Sequence, residues 1–229
     1  MVKHKNHEHV PQSLPQWALV LLSPEDLKII NQTVQAAEST TSGEIVPILV
    51  HSSCGKTTIR PLFSLVLVFL GLAGAPMVTE YFTPSIFLYF GEAIAIFSLF
   101  LLGQIIPLPL FVQRLVIPLS EQILRVEQRA ELEFYRAKIQ GTAGRTGILL
   151  FVSLMEHRAV VLADKAISDK LPQETWDEVL QLLLKGFKSK QVQQGYCAAI
   201  SRCGDILSSH FPRSSDDVDE LVNELLISE

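Results

Sequence analysis

ILLFVSL, Ile148–Leu154, is an apolar, β-favouring run without period-two alternation. That is the pattern of a strand covered on both faces. Glu156-His157 makes a tight turn into Ala159–Ala163, a second β-rich run that Asp164 ends. The two runs predict an antiparallel hairpin. A strand buried on both sides needs helices above and below it, so the expected class is α/β, arranged as an α/β/α sandwich.

On the N-terminal side of this hairpin, Gly141–Gly147 reads as a loop. Before it, Ser120–Gln140 reads as a long amphipathic helix. Its inner face is Ile123, Val126, Ala130, Phe134 and Ala137, and its outer face is rich in Arg and Glu. On the C-terminal side, Pro172 and Gln173 open a helix carrying Trp176, Val179, Leu180, Leu183 and Phe187. The last core helix, Gln191–His210, sets Val192, Tyr196, Ala199, Ile200, Cys203 and Leu207 on one side, and Phe211-Pro212 stops it. Asp216–Ile227 is acidic, with Val218, Leu221, Val222 and Leu225 at helical spacing.

Nearer the start, Ser23-Pro24-Glu25-Asp26 is a helix opening with a capping-box pattern. Leu27, Ile30, Val34 and Ala37 follow at helical spacing, and the helix should end near Ser42-Gly43. Glu44–Val50, EIVPILV, is a short strand in which Pro47 points to an edge or a bulge.

The two halves are separated by an apolar block. Between Arg60 and Arg114 the only charged residues are Glu80 and Glu92. Two runs, about Pro61–Val78 and Ile86–Ile106, each approach the ~20 residues that cross a bilayer core as a helix. A pair of spans returns the chain to the side it left, so the flanking halves can meet. The expected organisation is a disordered tail at 1–22, a first domain half at 23–58, a transmembrane hairpin at 61–106, a second half at 120–212 and an acidic tail at 213–229. Lys56 and Arg60 precede the first span and Arg114 follows the second, where they suit anionic headgroups at the membrane interface. The loop between the spans has Glu80 and no base. Both termini are therefore expected in the cytoplasm, on an inner (plasma) membrane protein with the lipid bilayer as its solvent. Met1–Pro15 is polar and His-rich and has no apolar core of a cleavable signal.

A net charge of −5 argues against a general nucleic-acid binder. Three cysteines, Cys54, Cys197 and Cys203, have no zinc-type spacing. Cys54-Gly55-Lys56-Thr57-Thr58 invites a P-loop reading, but the first glycine of that pattern would fall at Val50, so nucleotide binding is not expected. Carboxylates near strand ends, Glu44, Glu156, Asp164 and Asp169, suit Ca²⁺ or Mg²⁺ if they converge. Alternatively, Glu44 and Asp164 cap strands and pair with Arg158 or Lys165. Glu92, inside the second span, is either a functional carboxyl or one reaching toward the interface. Arg145 and Arg158 offer anion contacts or plain surface charge.

A set of short motifs carries a family resemblance. They are TSGEI at Thr41–Ile45, the R-V-E-x-R-A-x-x-x-F pattern at Arg125–Phe134, RTGILLFVSL at Arg145–Leu154 and the E-x-R-x-V-V-L-A-D-x-x-I pattern at Glu156–Ile167. Trp176 and Gly204-Asp205-Ile206-Leu207 before Phe211-Pro212 complete it. Together they resemble the TPM domain, shared by a thylakoid lumen phosphatase, a photosystem II repair protein and a nematode acetylcholine-receptor modulator. More narrowly, the chain is similar to bacterial membrane proteins in which that domain is split by a hydrophobic hairpin. The resemblance covers about Ser23–Pro212. It implies an α/β/α sandwich. For some members it implies divalent-cation binding and acid phosphatase activity, and for others an assembly, repair or receptor-modulating role beside a membrane-protein partner. The soluble branch tends to have Asp-Asn before the strand glycine. Here the residues are Arg145-Thr146-Gly147, a base in place of an acidic ligand.

Overall fold

Ser23 caps a helix as the sequence predicts. Its hydroxyl accepts the Asp26 N–H at 3.1 Å, and the Asp26 carboxylate accepts the Ser23 N–H at 2.9 Å. This reciprocal box, with Pro24 in the first turn, starts helix α2, Pro24–Glu38. A four-residue helix α1, Gln16–Leu19, precedes it. Ala18 and Leu22 are buried, so the stretch expected as a tail contributes to the core.

The computed structural model describes residues 14–54, 64–73, 86–105, 117–214, 216 and 218–228. The side chains at 86–90, 92, 102, 104 and 105 also lie outside that description. The chain divides into two compact units. One joins the residues up to Ser53 with those from Ile123 onward; the other is Cys54–Gln122.

The first unit is built on a mixed four-stranded sheet, ordered β3–β2–β1–β4. Its strands are β1 (Glu44–Val50), β2 (Gly147–Ser153), β3 (Arg158–Ala163) and β4 (Leu226–Ser228). β1 runs parallel to β2 and to β4, and β3 runs antiparallel to β2. The predicted β2–β3 hairpin is therefore present, with Ile148 opposite Ala163 and Ser153 opposite Arg158.

Side-chain alternation gives the sheet two apolar faces. Ile45, Leu49, Ile148, Leu150, Val152 and Val161 face one core. It is covered by α2, by α7 (Asp177–Lys188) and by α8 (Val192–His210). Trp176 and Tyr196 are its largest fully buried side chains. Val46, Ile48, Val50, Leu149 and Phe151 face the other core, against Val126 and Ala130 of α5 (Leu119–Arg136). The fold is thus α/β, and the unalternating ILLFVSL run is explained by burial on both faces of β2.

Helices α7 and α8 pack at backbone contact. A Cβ at Gly186 would fall 2.5 Å from the Gly195 Cα. Only hydrogen fits at this crossing, which places the faces of both helices against the sheet.

Three elements differ from expectation. α5 stops at Arg136, because Lys138 turns left-handed at φ 55° and opens a 3₁₀ turn, Ile139–Gly141. Asp164 does more than end β3: it caps a short helix α6, Lys165–Ser168. Finally, the acidic segment is not helical among the described residues after Pro212. Its apolar residues are used one by one, Leu221 and Leu226 in one core and Leu225 and Ile227 in the other, and it ends as β4.

In the second unit, residues 64–73 (α3) and Ile86–Ile105 (α4) are helical. They pack antiparallel through small residues. A Cβ at Gly103 would lie 2.9 Å from the Ser64 Cα, and one at Gly71 would lie 2.9 Å from Leu99 Cδ1. Among the described residues, no helix is long and apolar enough to cross a membrane.

Candidate functional site

The carboxylates singled out in the sequence fall at opposite ends of the sheet. Glu44 opens β1 opposite Gly147, and the Asp164 N–H donates to the Gly147 carbonyl at 2.8 Å. These two residues therefore share the end where the parallel strands begin. Glu156 sits in the turn after β2, at the end where those strands finish. Asp169 is exposed at the far end of α6.

At the first end the acids are engaged by the protein itself. Asp164 accepts the Lys165 N–H at 2.7 Å and the Arg145 guanidinium at 3.2 Å. Glu44 Oε1 accepts the Glu220 N–H at 3.0 Å. Thr146 donates to the Ser42 carbonyl at 2.7 Å, and Thr41 to the Phe211 carbonyl at 2.6 Å. Arg145, held at φ 53°, brings a positive charge where the resemblance implies an acidic ligand. Among the described residues no three His, Cys, Asp or Glu side chains are grouped to hold a metal ion. A Ca²⁺ or Mg²⁺ ion wants six or more oxygen ligands. This donor set, with a guanidinium on its best-buried carboxylate, does not fit one. The expected pairing of Asp164 with Arg158 or Lys165 is realised differently, through Arg145 and the Lys165 backbone.

Sequence reasoning missed the most perturbed carboxyl of this region. Glu38, the last residue of α2, is 3% exposed. Its Oε1 accepts the Ile45 N–H at 2.8 Å, and its Oε2 has no hydrogen-bond partner among the described residues. Burial pushes its pKa up from 4.5 to about 8, Glu44 and Asp219 push the same way, and the Ile45 N–H and Arg213 oppose. The helix C-terminus also disfavours a negative charge there. No local sequence signal marks this residue, since the turn into β1 creates its burial. Burial, and then Glu38, raise the Cys203 thiol, which makes it an inert core group.

At the second end, Glu156 is a saturated buried acid. Ser153 donates to it at 2.5 Å, Ser52 at 3.2 Å and the Ser53 N–H at 3.1 Å. Ser53 in turn donates to Ser153 at 2.8 Å. The arrangement clamps the chain as it leaves β1. Its hydrogen bonds tie the end of β1 to the turn after β2, the part of a structural anchor.

The second unit offers a different kind of surface. Leu65, Phe69, Leu70, Ile94, Phe97 and Leu101 are all exposed large hydrophobics. They project outward from a helix pair whose seam is made of Ser64, Gly71, Leu99 and Gly103. Lys56, Arg60 and Arg114, the expected interface residues, lie outside the described residues, as do the side chain of Glu92 and the His-rich stretch at the start.

The chain matches no family model. No curated protein matches it. Among solved structures it is similar to the NMR structure of BA42 protein from the psychrophilic bacteria Bizionia argentinensis sp. nov., at 22% identity and a TM-score of 0.55. The match covers 90% of this chain and 95% of that one. At that identity the likeness is one of fold alone.

Proposed function

We propose that the chain is a membrane-anchored, TPM-like interaction module. Its α3–α4 hairpin inserts in a lipid bilayer, and its α/β unit serves assembly or quality control of a membrane complex through a membrane-protein partner. The observation that carries the reading is the outward apolar surface of the second unit: Phe69 is 71% exposed, Ile94 66%, Phe97 62% and Leu65 58%. A helix apolar on its outside as well as its seam wants an apolar surrounding. Left in water, these four side chains together with Leu70 and Leu101 forgo on the order of 10 kcal/mol of burial, as much as the net stability of a domain. The bilayer supplies that surrounding, and the small residues of the seam suit helix pairing in lipid.

The non-enzymatic part of the reading rests on the α/β unit. Asp164, Glu156 and one oxygen of Glu44 accept from backbone donors, serines and Arg145, while Glu38 keeps one oxygen without a hydrogen-bond partner among the described residues. Basic residues on both flanks of the apolar block favour an inner-membrane topology with both flanks cytoplasmic.

The test is a lipid-contact experiment on the full chain. A photo-crosslinking residue at Phe97 or Phe69 should label phospholipid in membranes, whereas one at Val179, in the core of the α/β unit, should not. Labelling of protein alone from both hairpin positions would replace the bilayer with a protein partner as the cover of this surface.

A further inference from the structure

The directions of the strands and helices in the α/β unit sort its charges between two ends. β1 finishes at Val50, level with Ser153 of β2, Ser228 of β4 and, across the hairpin, Arg158 of β3. α2 reaches the opposite end at Glu38, which accepts the Ile45 N–H. A fifteen-residue helix and a seven-residue strand are both about 22 Å long, so α2 starts level with the end of β1. α8 also finishes at the opposite end, where Thr41 donates to the Phe211 carbonyl. Its first turns lie near the end of β1, and the Tyr196 hydroxyl donates to the Ile48 carbonyl at 3.2 Å. α7 meets α8 at Gly186 and Gly195, which brings the last turn of α7 to the same end. The chain leaves the unit here, after Ser53, and rejoins it at Ile123. From there α5 runs past Arg129, bonded to Ser228 Oγ at 3.0 Å, toward Ile139, which packs on Gly147 at the far end.

Bases gather where the chain leaves. Lys185 and Lys188 are in the last turn of α7, Lys190 follows, Lys28 lies in the second turn of α2 and Arg158 opens β3. The four lysines are exposed. Against them stand Glu25 and Asp26, and Asp26 is engaged by the Ser23 box. A chain of net charge −5 thus carries a local basic excess. Among the described residues, none of these five basic side chains forms an ion pair. At the far end, by contrast, Arg145 and Arg213 are held by Asp164 and Asp219.

An apolar step lies at the basic end. α1 is fixed there by Trp17, whose ring is 5.0 Å from that of His51, and by Leu22 in the first core. Leu19 beside it is 50% exposed and Val20 is 84% exposed, more than any large apolar side chain described in the hairpin. Unpaired bases next to protruding apolar side chains match an anionic bilayer surface, which offers phosphates at headgroup depth and acyl chains beneath them.

We infer, on the reading that the hairpin lies in lipid, that this end of the α/β unit rests on the membrane surface. Leu19 and Val20 enter the headgroup region, and the lysines of α2 and α7 with Arg158 contact the phosphates of anionic phospholipids. The contact orients the unit, so that the acidic end with Glu38 and Glu44 faces away from the bilayer.

The test is photo-crosslinking of the full chain reconstituted in phosphatidylcholine vesicles, with and without an equal part of phosphatidylglycerol. A photo-crosslinking residue at Val20 should label phospholipid when phosphatidylglycerol is present. The yield should fall at least threefold without it, and likewise in a chain carrying Lys185→Gln, Lys188→Gln and Lys190→Gln. The same residue at Asp205, exposed toward the far end of α8, should not label, and at Phe97 in the hairpin it should label in every case. No labelling from Val20 where Phe97 labels would overturn the proposal. So would equal labelling from Val20 and Asp205, or labelling from Val20 that ignores both the lipid and the lysines. Labelling from Val20 without Phe97 would keep the surface and take the hairpin out of lipid, and silence at both positions would end both.

Discussion

Glu38 Oε1 accepts the backbone N–H of Ile45 at 2.8 Å, tying the last residue of α2 to the second residue of β1. This single contact satisfies an edge donor of the sheet with a carboxyl that has no second partner among the described residues. The native state therefore favours the neutral acid. Between the ordinary value of 4.5 and about 8, the folded chain holds a proton that the unfolded chain has released. Stability from this group is full below pH 4.5 and is lost as pH rises through about 8. Glu38→Gln keeps the acceptor and removes the titration. The wild-type melting temperature should fall between pH 6 and pH 9 while that of the variant stays level, apart from changes common to both.

Glu156 at the opposite end of the sheet should behave differently. Ser153, fully buried, and the Ser53 N–H both donate to it. Glu156→Ala strands those donors, and the loss should be about 2–4 kcal/mol in a denaturant titration. Glu156→Gln retains part of the network and should cost less.

Gly186→Ala probes the α7–α8 crossing. The added methyl would sit 2.5 Å from the Gly195 backbone, so the two helices must separate. A loss of about 1–3 kcal/mol is expected. An exposed helical position such as Gln181→Ala, measured alongside, should change stability by less than about 0.5 kcal/mol.

Arg145 and Asp164 make the cation question directly testable. Wild-type protein should show no calorimetric heat and no thermal shift with Ca²⁺ or Mg²⁺. Arg145→Asp removes the guanidinium from Asp164 and substitutes a carboxylate that tolerates the left-handed backbone there. That variant should gain a Ca²⁺-dependent rise in melting temperature. Binding by the wild type would mean that the side chains rearrange to accept an ion.

Much of the α/β unit was legible because local and tertiary demands agree. The Ser23 box, the β2–β3 hairpin and the buried stripe of α8 were all readable, since capping, turn and 3.6-residue signals point the same way as the packing. The edge strand or bulge that Pro47 suggests is met only in part: β1 lies inside the sheet between β2 and β4, but β4 pairs only with Ile48–Val50, so Pro47 faces no strand on that side. The end of the chain was not legible. Val218, Leu221, Val222 and Leu225 have helical spacing, yet Val218 and Val222 are exposed, and the segment is drawn out by pairing with a strand some 178 positions away, Ile48 with Leu226. Such non-local pairing overrides a weak local preference. α1 was too short to show a period, and Glu38 looked like any glutamate on a helix. Of the proposed metal residues, the fold brings Glu44 and Asp164 to one sheet end, but Asp169 is on the surface beyond them.

The central claim is that lipid surrounds the α3–α4 pair. Its most direct measurement is the partitioning of the full chain expressed in bacterial cells. The protein should stay with the membrane pellet through alkaline carbonate and leave it only with detergent. Recovery in the aqueous supernatant as a stable monomer, with Phe69 and Phe97 facing water, would contradict it.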